Sequence, residues 1–327
     1  MLAAVNKKYG VPDVVQIEEV AKPQPKDNEV LVKIYATSVN SGDARMRSLN
    51  VPTGYGMLVR LAFGIFAPRN SVLGMEFAGV VEEIGKDVTK FKIGDEVFAS
   101  CFFGAHAQYR AVKQDGAITL KPKNLSFEEA SAMCFGGTTA LFFLKKLGNI
   151  KRGDKVLVNG ASGAVGVAAI QLAKYFGAHV SAVCSGANTE LVKSLGADAV
   201  IDYIKEDFTK NGKTYDIIMD NVGNVVWGRV KNSLKPTGRF LMVVAGMPQM
   251  IQAAFVSKKH GKMVLSGSPR DKSEELKFLV KLASEGKFKP HIDKVYLLEE
   301  IANAHAYVDS GRKRGSVVIN LELTNQL

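Results

Sequence analysis

Three cysteines in 327 residues, Cys101, Cys134 and Cys184, are too few and too scattered for a disulfide framework or a zinc ribbon. Buried free thiols are the expectation for all three. Long hydrophobic runs are also missing: the longest apolar segment, Met57 to Pro68, is interrupted by Arg60 and is too short to span a bilayer. The opening residues, Met1 to Lys8, lack the apolar core of a signal peptide, so a cytoplasmic protein without a membrane partner is expected. Negative charge is in short supply, with 43 Lys and Arg against 32 Asp and Glu and a net charge of +11. A field of that sign attracts phosphorylated ligands, nucleic acid and anionic lipid alike. The basic residues are scattered, as in Lys145-Lys146, Lys258-Lys259 and Arg312-Lys313-Arg314, with no aromatic residues between them. They read as solvated surface rather than as a nucleic-acid track. Internal repeats and low-complexity tracts are absent as well.

What the chain does have is a core-forming composition, 46% hydrophobic, and enough length for two domains. Its most informative stretch runs from Lys155 to Lys174. Val156 to Val158 form a short apolar run suited to a buried parallel strand, and Val165, Ala168, Ala169, Leu172 and Ala173 recur at helical spacing. Between them lie Gly160, Gly163 and Gly166. Backbone without side chains lets a pyrophosphate approach the unpaired N–H groups and positive dipole end of the helix that follows. The strict G-x-G-x-x-G spacing is not met, because Ala161 stands at its first glycine position. Context carries the reading instead: the turn lies between strand and helix, and a second strand, His179 to Cys184, follows within one βαβ length. Gly160, Ser162, Gly163, Ala164, Val165 and Gly166 are therefore assigned to a dinucleotide grip.

Residues 1 to 124 carry short β-rich runs, such as Glu29 to Tyr35 and Phe77 to Ile84, punctuated by Gly, Pro and Asp; this texture predicts a barrel-like antiparallel domain. From Ser126, which has a capping-box spacing with Glu129, the rhythm turns to alternating helix and strand, with strands near 155, 179, 199, 216, 240 and 263. Residues 125 to 268 thus predict an α/β doubly wound parallel sheet of the Rossmann type. Residues 269 to 327 predict a helix from Lys272 and a strand from Arg314, and return to complete the first domain, since so short a piece has a marginal core of its own.

The order of these parts, with Gly74-Met-Glu-Phe-Ala-Gly-Val-Val-Glu-Glu-Ile-Gly85, Phe91-Lys-Ile-Gly-Asp-Glu-Val-Phe98 and Gly160-Ala-Ser-Gly-Ala-Val-Gly166, resembles the medium-chain dehydrogenase/reductase superfamily. Within it the chain is similar to the zinc-free quinone oxidoreductases related to zeta-crystallin. That resemblance implies a GroES-like catalytic domain beside the Rossmann domain. It also implies that Asn40 and Met75 stand where zinc-dependent relatives have a ligating cysteine and histidine. Amide and thioether are poor zinc ligands, so no metal is expected. Glu76 is expected to survive as a structural partner for nearby backbone or basic groups. The resemblance further implies a homodimer paired through strand Lys262 to Ser266, and it places Thr139 beside the nicotinamide and Tyr203 near the adenine-side phosphate.

The loop after the second strand, Val183-Cys-Ser-Gly-Ala-Asn188, lacks the acid that usually accepts the adenine ribose hydroxyls. Ser185 and Asn188 are candidate donors to a 2′-phosphate, and NADPH is the expected cofactor with NADH possible. Relatives commonly have Lys or Arg in this loop, and a dual-specificity site stays open. Asn221, Val222 and Gly223, then Ala245 and Gly246, and Ser266 mark the carboxyl ends of later strands, where the nicotinamide belongs.

Without a metal to polarise an alcohol, hydride addition to a quinone or α,β-unsaturated carbonyl suits the site best. Asn40 is the candidate hydrogen-bond donor, although fixing its own loop is an equal reading. Tyr55 is a candidate pocket or proton-transfer residue. The segment from Tyr55 to Arg69 reads as a substrate lid, then as a packing loop, and last as a weak membrane-surface contact. His106 reads as structural. Enoyl-thioester reduction, alcohol dehydrogenation, and an NADPH-binding structural or RNA-binding role remain alternatives, with nucleic acid disfavoured by the missing aromatic platforms.

Overall fold

The computed structural model describes residues 1–260, 262–268 and 273–321, and the chain packs into two compact units. One comprises Met1–Val51, Gly56–Phe135 and Asp271–Leu327, the other Pro52–Tyr55 and Gly136–Arg270. The side chains of Lys258 and Lys259 and the junction at residue 269 lie outside the described part.

The first unit opens with the antiparallel pair β1 (Leu2–Asn6) and β2 (Val15–Glu19). It continues with β3 (Glu29–Val39), β4 (Glu76–Ile84), β5 (Glu96–Ser100), β6 (Tyr109–Lys113) and β7 (Ile118–Leu120). Two helices, α1 (Ser41–Ser48) and α2 (Gly56–Phe63), lie between β3 and β4. Helix α3 (Phe127–Ser131) begins at the expected capping box: the Ser126 hydroxyl accepts from the Glu129 N–H while the Glu129 carboxylate accepts from the Ser126 N–H. Helix α4 (Cys134–Leu141) follows.

The second unit is a six-stranded, wholly parallel sheet of β8 (Lys155–Asn159), β9 (His179–Cys184), β10 (Ala199–Asp202), β11 (Tyr215–Asp220), β12 (Leu234–Met242) and β13 (Met263–Leu265). The spatial order β10-β9-β8-β11-β12-β13 is the doubly wound arrangement, with its switch point between β8 and β11. Helices α5 (Ala164–Tyr175), α6 (Thr189–Ser194), α7 (Trp227–Val230) and α8 (Met247–His260) fill the crossovers. Val156, Leu157 and Val158 are buried, as a strand covered on both faces requires, and Leu157 packs into a core with Ile218, Phe240 and Val264.

The chain then returns. Helix α9 (Ser273–Ser284), β14 (Ile292–Leu297), helix α10 (Ile301–Asp309) and β15 (Ser316–Asn320) belong to the first unit, whose main sheet runs β14-β15-β3-β4-β5-β7 with β6 also on β3. Strand β3 is long enough to serve two partners along one edge. Its residues 29–33 pair with β6 and residues 36–39 with β15, and register shifts near Leu31 and Ile34 mark where it bends. Val32, Ile34, Phe77, Val97, Val317 and Ile319 close the core of this unit.

Candidate functional site

Asn40 stands at the end of β3 as the N-cap of α1. Its Oδ1 accepts from the Gly42 N–H at 2.8 Å and the Asp43 N–H at 3.1 Å, and Asp43 reciprocates by accepting the Asn40 N–H. Two backbone donors on one end of the amide fix which end is oxygen. Nδ2 is left buried with no partner among the described residues. A buried amide donor without an acceptor is costly, and such groups are candidates for ligand contact.

Neighbours of Asn40 in this unit come from β4 and the loop before it. The Met75 sulfur lies 2.8 Å from where a Cβ on Gly42 would sit, so thioether and amide share the start of α1. Glu76 is buried and accepts from the Ser38 hydroxyl and the Phe135 N–H, which is the structural role the sequence gives it. Lys313 corrects the reading of Arg312-Lys313-Arg314 as solvated surface. It is half-buried, donates to the Gly315 carbonyl at 2.8 Å, and burial pushes its ammonium down to about 8 against the opposing pull of Glu76 and Asp293. Among the described residues, no group of three or more His, Cys, Asp or Glu is placed to hold a metal ion.

His106 is fully buried, and its Nε2 donates to the Ser38 carbonyl at 2.9 Å. Its ring meets that of buried His305 edge-on, with centroids 5.7 Å apart. Burial pushes His106 down to about 4 and His305 well below its ordinary value, so both imidazoles are neutral near pH 7. The structural role expected of His106 fits this geometry. Its long-range partner was invisible in the sequence.

In the second unit the glycine turn has the geometry a diphosphate needs. Gly160 has φ +72°, and a Cβ there would strike Val222 Cγ2 at 2.6 Å. A Cβ on Gly166 would stand 2.6 Å from the Ala161 carbonyl carbon, so only glycine lets α5 start this close to the turn. At Gly163, the N-cap, a Cβ would find nothing nearer than the Gly160 oxygen at 3.7 Å. The first i→i−4 bond of α5 is Val167 N–H to Gly163 C=O, which leaves the Ala164, Val165 and Gly166 N–H groups at the helix mouth. Three backbone donors at a positive dipole end fit an anionic group.

Asn188 joins the loop after β8 to the loop after β9. Its Nδ2 donates to the Ser162 hydroxyl at 3.0 Å and the Ser185 hydroxyl at 3.2 Å. The amide hydrogens are therefore taken, and the serine hydroxyl hydrogens become the donors on offer. Tyr203 is exposed, with its N–H bound to the Cys184 carbonyl, and so sits at the rim of the same loop.

One residue there was missed. Asp202, at the end of β10, places its Oδ2 2.7 Å from the Cβ position of Gly186 and helps burial push the Cys184 thiol up to about 11. The loop is acid-free in sequence, yet the neighbouring strand brings an acid to it.

At the switch point, buried Asp220 organises the carboxyl ends of β8 and β11. It accepts from Asn159 Nδ2 at 2.8 Å and from the N–H groups of Val222, Gly223 and Val225. Asn221 donates to the Asn159 carbonyl and keeps a buried Oδ1 without a partner among the described residues. Ala245 packs against the core, and Gly246 approaches the Thr53 carbonyl and Gln249. Ser266 is half-buried just after β13. Thr139 lies in a helix rather than a turn, three residues beyond Gly136, whose missing side chain lets α4 approach the Ala164 carbonyl. Tyr55 packs with this second unit, its hydroxyl 2.6 Å from Met250 Sδ, whereas Asn40 belongs to the first.

A GroES-like β unit followed by a doubly wound unit with a glycine-rich phosphate turn defines a two-domain dehydrogenase architecture. The chain matches the alcohol dehydrogenase GroES-like domain over residues 26–140 and the zinc-binding dehydrogenase family over residues 195–319. It is 35% identical to a 2-methylene-furan-3-one reductase of Solanum lycopersicum, over 95% of this chain and 77% of that protein. It is 32% identical to a chloroplast envelope quinone oxidoreductase homolog of Arabidopsis thaliana, over 92% of each. A quinone oxidoreductase structure from Coxiella burnetii superposes with a TM-score of 0.87 at 31% identity, covering 98% of this chain and 99% of that one. The chain belongs to the medium-chain dehydrogenase/reductase superfamily, and it is an oxidoreductase of the NAD(P)H-using kind.

Proposed function

We propose that this protein is a zinc-independent reductase that uses NADPH, with NADH as a weaker donor, to reduce a quinone or an α,β-unsaturated carbonyl. The observation that carries the reading is the divided amide of Asn40: the oxygen is held by its own helix, and the buried nitrogen has no partner. When bound, the reduced nicotinamide supplies a hydride. Asn40 Nδ2 then donates a hydrogen bond to the acceptor oxygen that gains negative charge, and its rigid cap means no reorganisation is needed at that moment. An amide at position 40 and a thioether at position 75 suit this role and suit zinc poorly.

The Ala164, Val165 and Gly166 N–H groups hold the diphosphate. Ser162 and Ser185, aligned by Asn188, donate to the 2′-phosphate. Asn221, Val222, Ala245, Gly246, Ser266 and Thr139 line the nicotinamide end, and Tyr203 flanks the adenine end. Tyr55 serves the acceptor, either as pocket wall or in proton delivery. A cytoplasmic homodimer, paired through the β13 edge, completes the reading, since among the described residues that short edge strand has a neighbour on one side only.

The test is to strip the protein with a chelator, add NADPH and a panel of quinones and 2-alkenals, and follow loss of reduced cofactor. Turnover without added metal is expected. Tight cofactor binding with no acceptor reduced would sink the reading, and a requirement for zinc would overturn its metal-free part.

A further inference from the structure

We propose that helix α2 and the loop after it form a docking face for an anionic lipid surface. Helices on a protein surface normally turn their apolar side inward, whereas one that is apolar all round is covered by something. Val59 and Phe63 are the half-buried residues of α2, and Phe63 stacks on Phe102 and meets Phe103. The outward side is apolar too: Met57 is 77% exposed and Leu58 54%, with Leu61 and Ile65 also exposed, and Phe66 is 92% exposed. Five bulky apolar side chains in one short segment go well beyond scattered surface hydrophobics.

Charge selects the occupant. Between Asp43 and Glu76 the sequence has no Asp or Glu, while Arg60 and Arg69 fall on this segment and are exposed. Arg60 caps the loop through the Ile65 carbonyl and lies over the Tyr9 ring, whose hydroxyl donates to the Gly64 carbonyl. Arg69 donates to the Ala62 carbonyl. Neither arginine has a carboxylate partner among the described residues, so both keep their charge beside the apolar side chains. A second copy of the same face would bring these arginines against their equals, which repel. Anionic headgroups over an apolar layer satisfy both features at once, and the net charge of +11 adds long-range attraction. The expectation of no membrane partner rested on the lack of a spanning segment, and no described helix is long and apolar enough to cross a bilayer. Lying on a surface requires none.

The experiment is vesicle co-sedimentation of the full chain with phosphatidylcholine alone and with an equal mixture of phosphatidylcholine and phosphatidylglycerol. Binding to the anionic vesicles is expected, weakened by added salt, and reduced roughly tenfold in the double variant Leu58→Ser, Phe66→Ser. Arg69→Gln should weaken binding and flatten its salt dependence. Thermal melting confirms that each variant is folded. No binding by the wild type, equal binding to neutral vesicles, or undiminished binding by the folded double variant would each overturn the proposal. If the wild type instead self-associates and the double variant does not, with no vesicle binding by either, the face belongs to a second copy and the lipid assignment fails.

Discussion

Asn40 commits its carbonyl to the first turn of α1 and keeps its amide hydrogens, so the two halves of one side chain can be tested apart. Asn40→Asp retains the capping oxygen and removes the donor; kcat should fall by about 100-fold with little change in melting temperature. Asn40→Ala should lose the same activity and, in addition, about 1 kcal/mol of stability from the missing cap. Steady-state kinetics beside thermal melts check both, and an active Asn40→Asp would refute the donor role. Asp202 makes a second residue-scale case. Its carboxylate lies beside Gly186 and would oppose a 2′-phosphate bound as proposed, so Asp202→Asn should raise the NADPH over NADH ratio of kcat/KM roughly 3- to 10-fold, the scale of ~1 kcal/mol for a partly screened charge. An unchanged ratio would remove Asp202 from cofactor selection. Asn40 was singled out through the resemblance, and the equal reading that it fixes its own loop is visible in a cap that spans three residues. Asp202 was not legible in the sequence, because strand order brings it beside the Gly186 loop, nor was the reach of Asp220 across to Asn159, a contact that spans 61 residues.

Among the elements, strand and helix alternation from β8 onward was readable because buried parallel strands are unbroken apolar runs and the helices between them keep their period. Helix α4 carries Gly136 and Gly137, although each glycine inside a helix costs about 1 kcal/mol. The reason for the glycine appears only in the packing, where a Cβ on Gly136 would stand 3.0 Å from the Ala164 carbonyl carbon. The same logic at the start of α5 gives a prediction. Gly166→Ala pushes a methyl group into the Ala161 carbonyl, and such overpacking costs roughly 1–3 kcal/mol. The variant should melt lower and bind NADPH more weakly, measured by thermal melting and cofactor titration. Binding as tight as wild type would mean that the turn relaxes freely and that the close approach is dispensable.

For the whole molecule, the two buried imidazoles couple stability to pH. His106 is held near 4 in the fold, against an ordinary value of 6.5. Between those values the unfolded chain binds a proton that the folded chain refuses, so stability is fully present above pH 6.5 and is lost as pH falls towards 4. For His106 alone the loss over that window is about 3 kcal/mol, at 1.36 kcal/mol per pH unit, and His305 acts in the same direction. Urea midpoints should therefore drop steeply between pH 7 and pH 5, and His106→Gln, which retains a donor for the Ser38 carbonyl, should flatten that dependence. Equal slopes in the two proteins would assign the acid sensitivity elsewhere. The sequence marked His106 as structural, but its pairing with His305 depends on α10 returning to the first unit.

That return has a consequence for how the protein is made. Strand β15 bonds to β3 from Val317 to Asn320, and the Leu321 N–H reaches the Tyr35 carbonyl. During synthesis the amino-terminal strands therefore emerge from the ribosome early and wait, with residues 36–39 of β3 open along one edge, while the second unit is completed. The unit that starts first finishes last, and its vulnerable interval to chaperones, proteases and mispairing spans nearly the whole of translation.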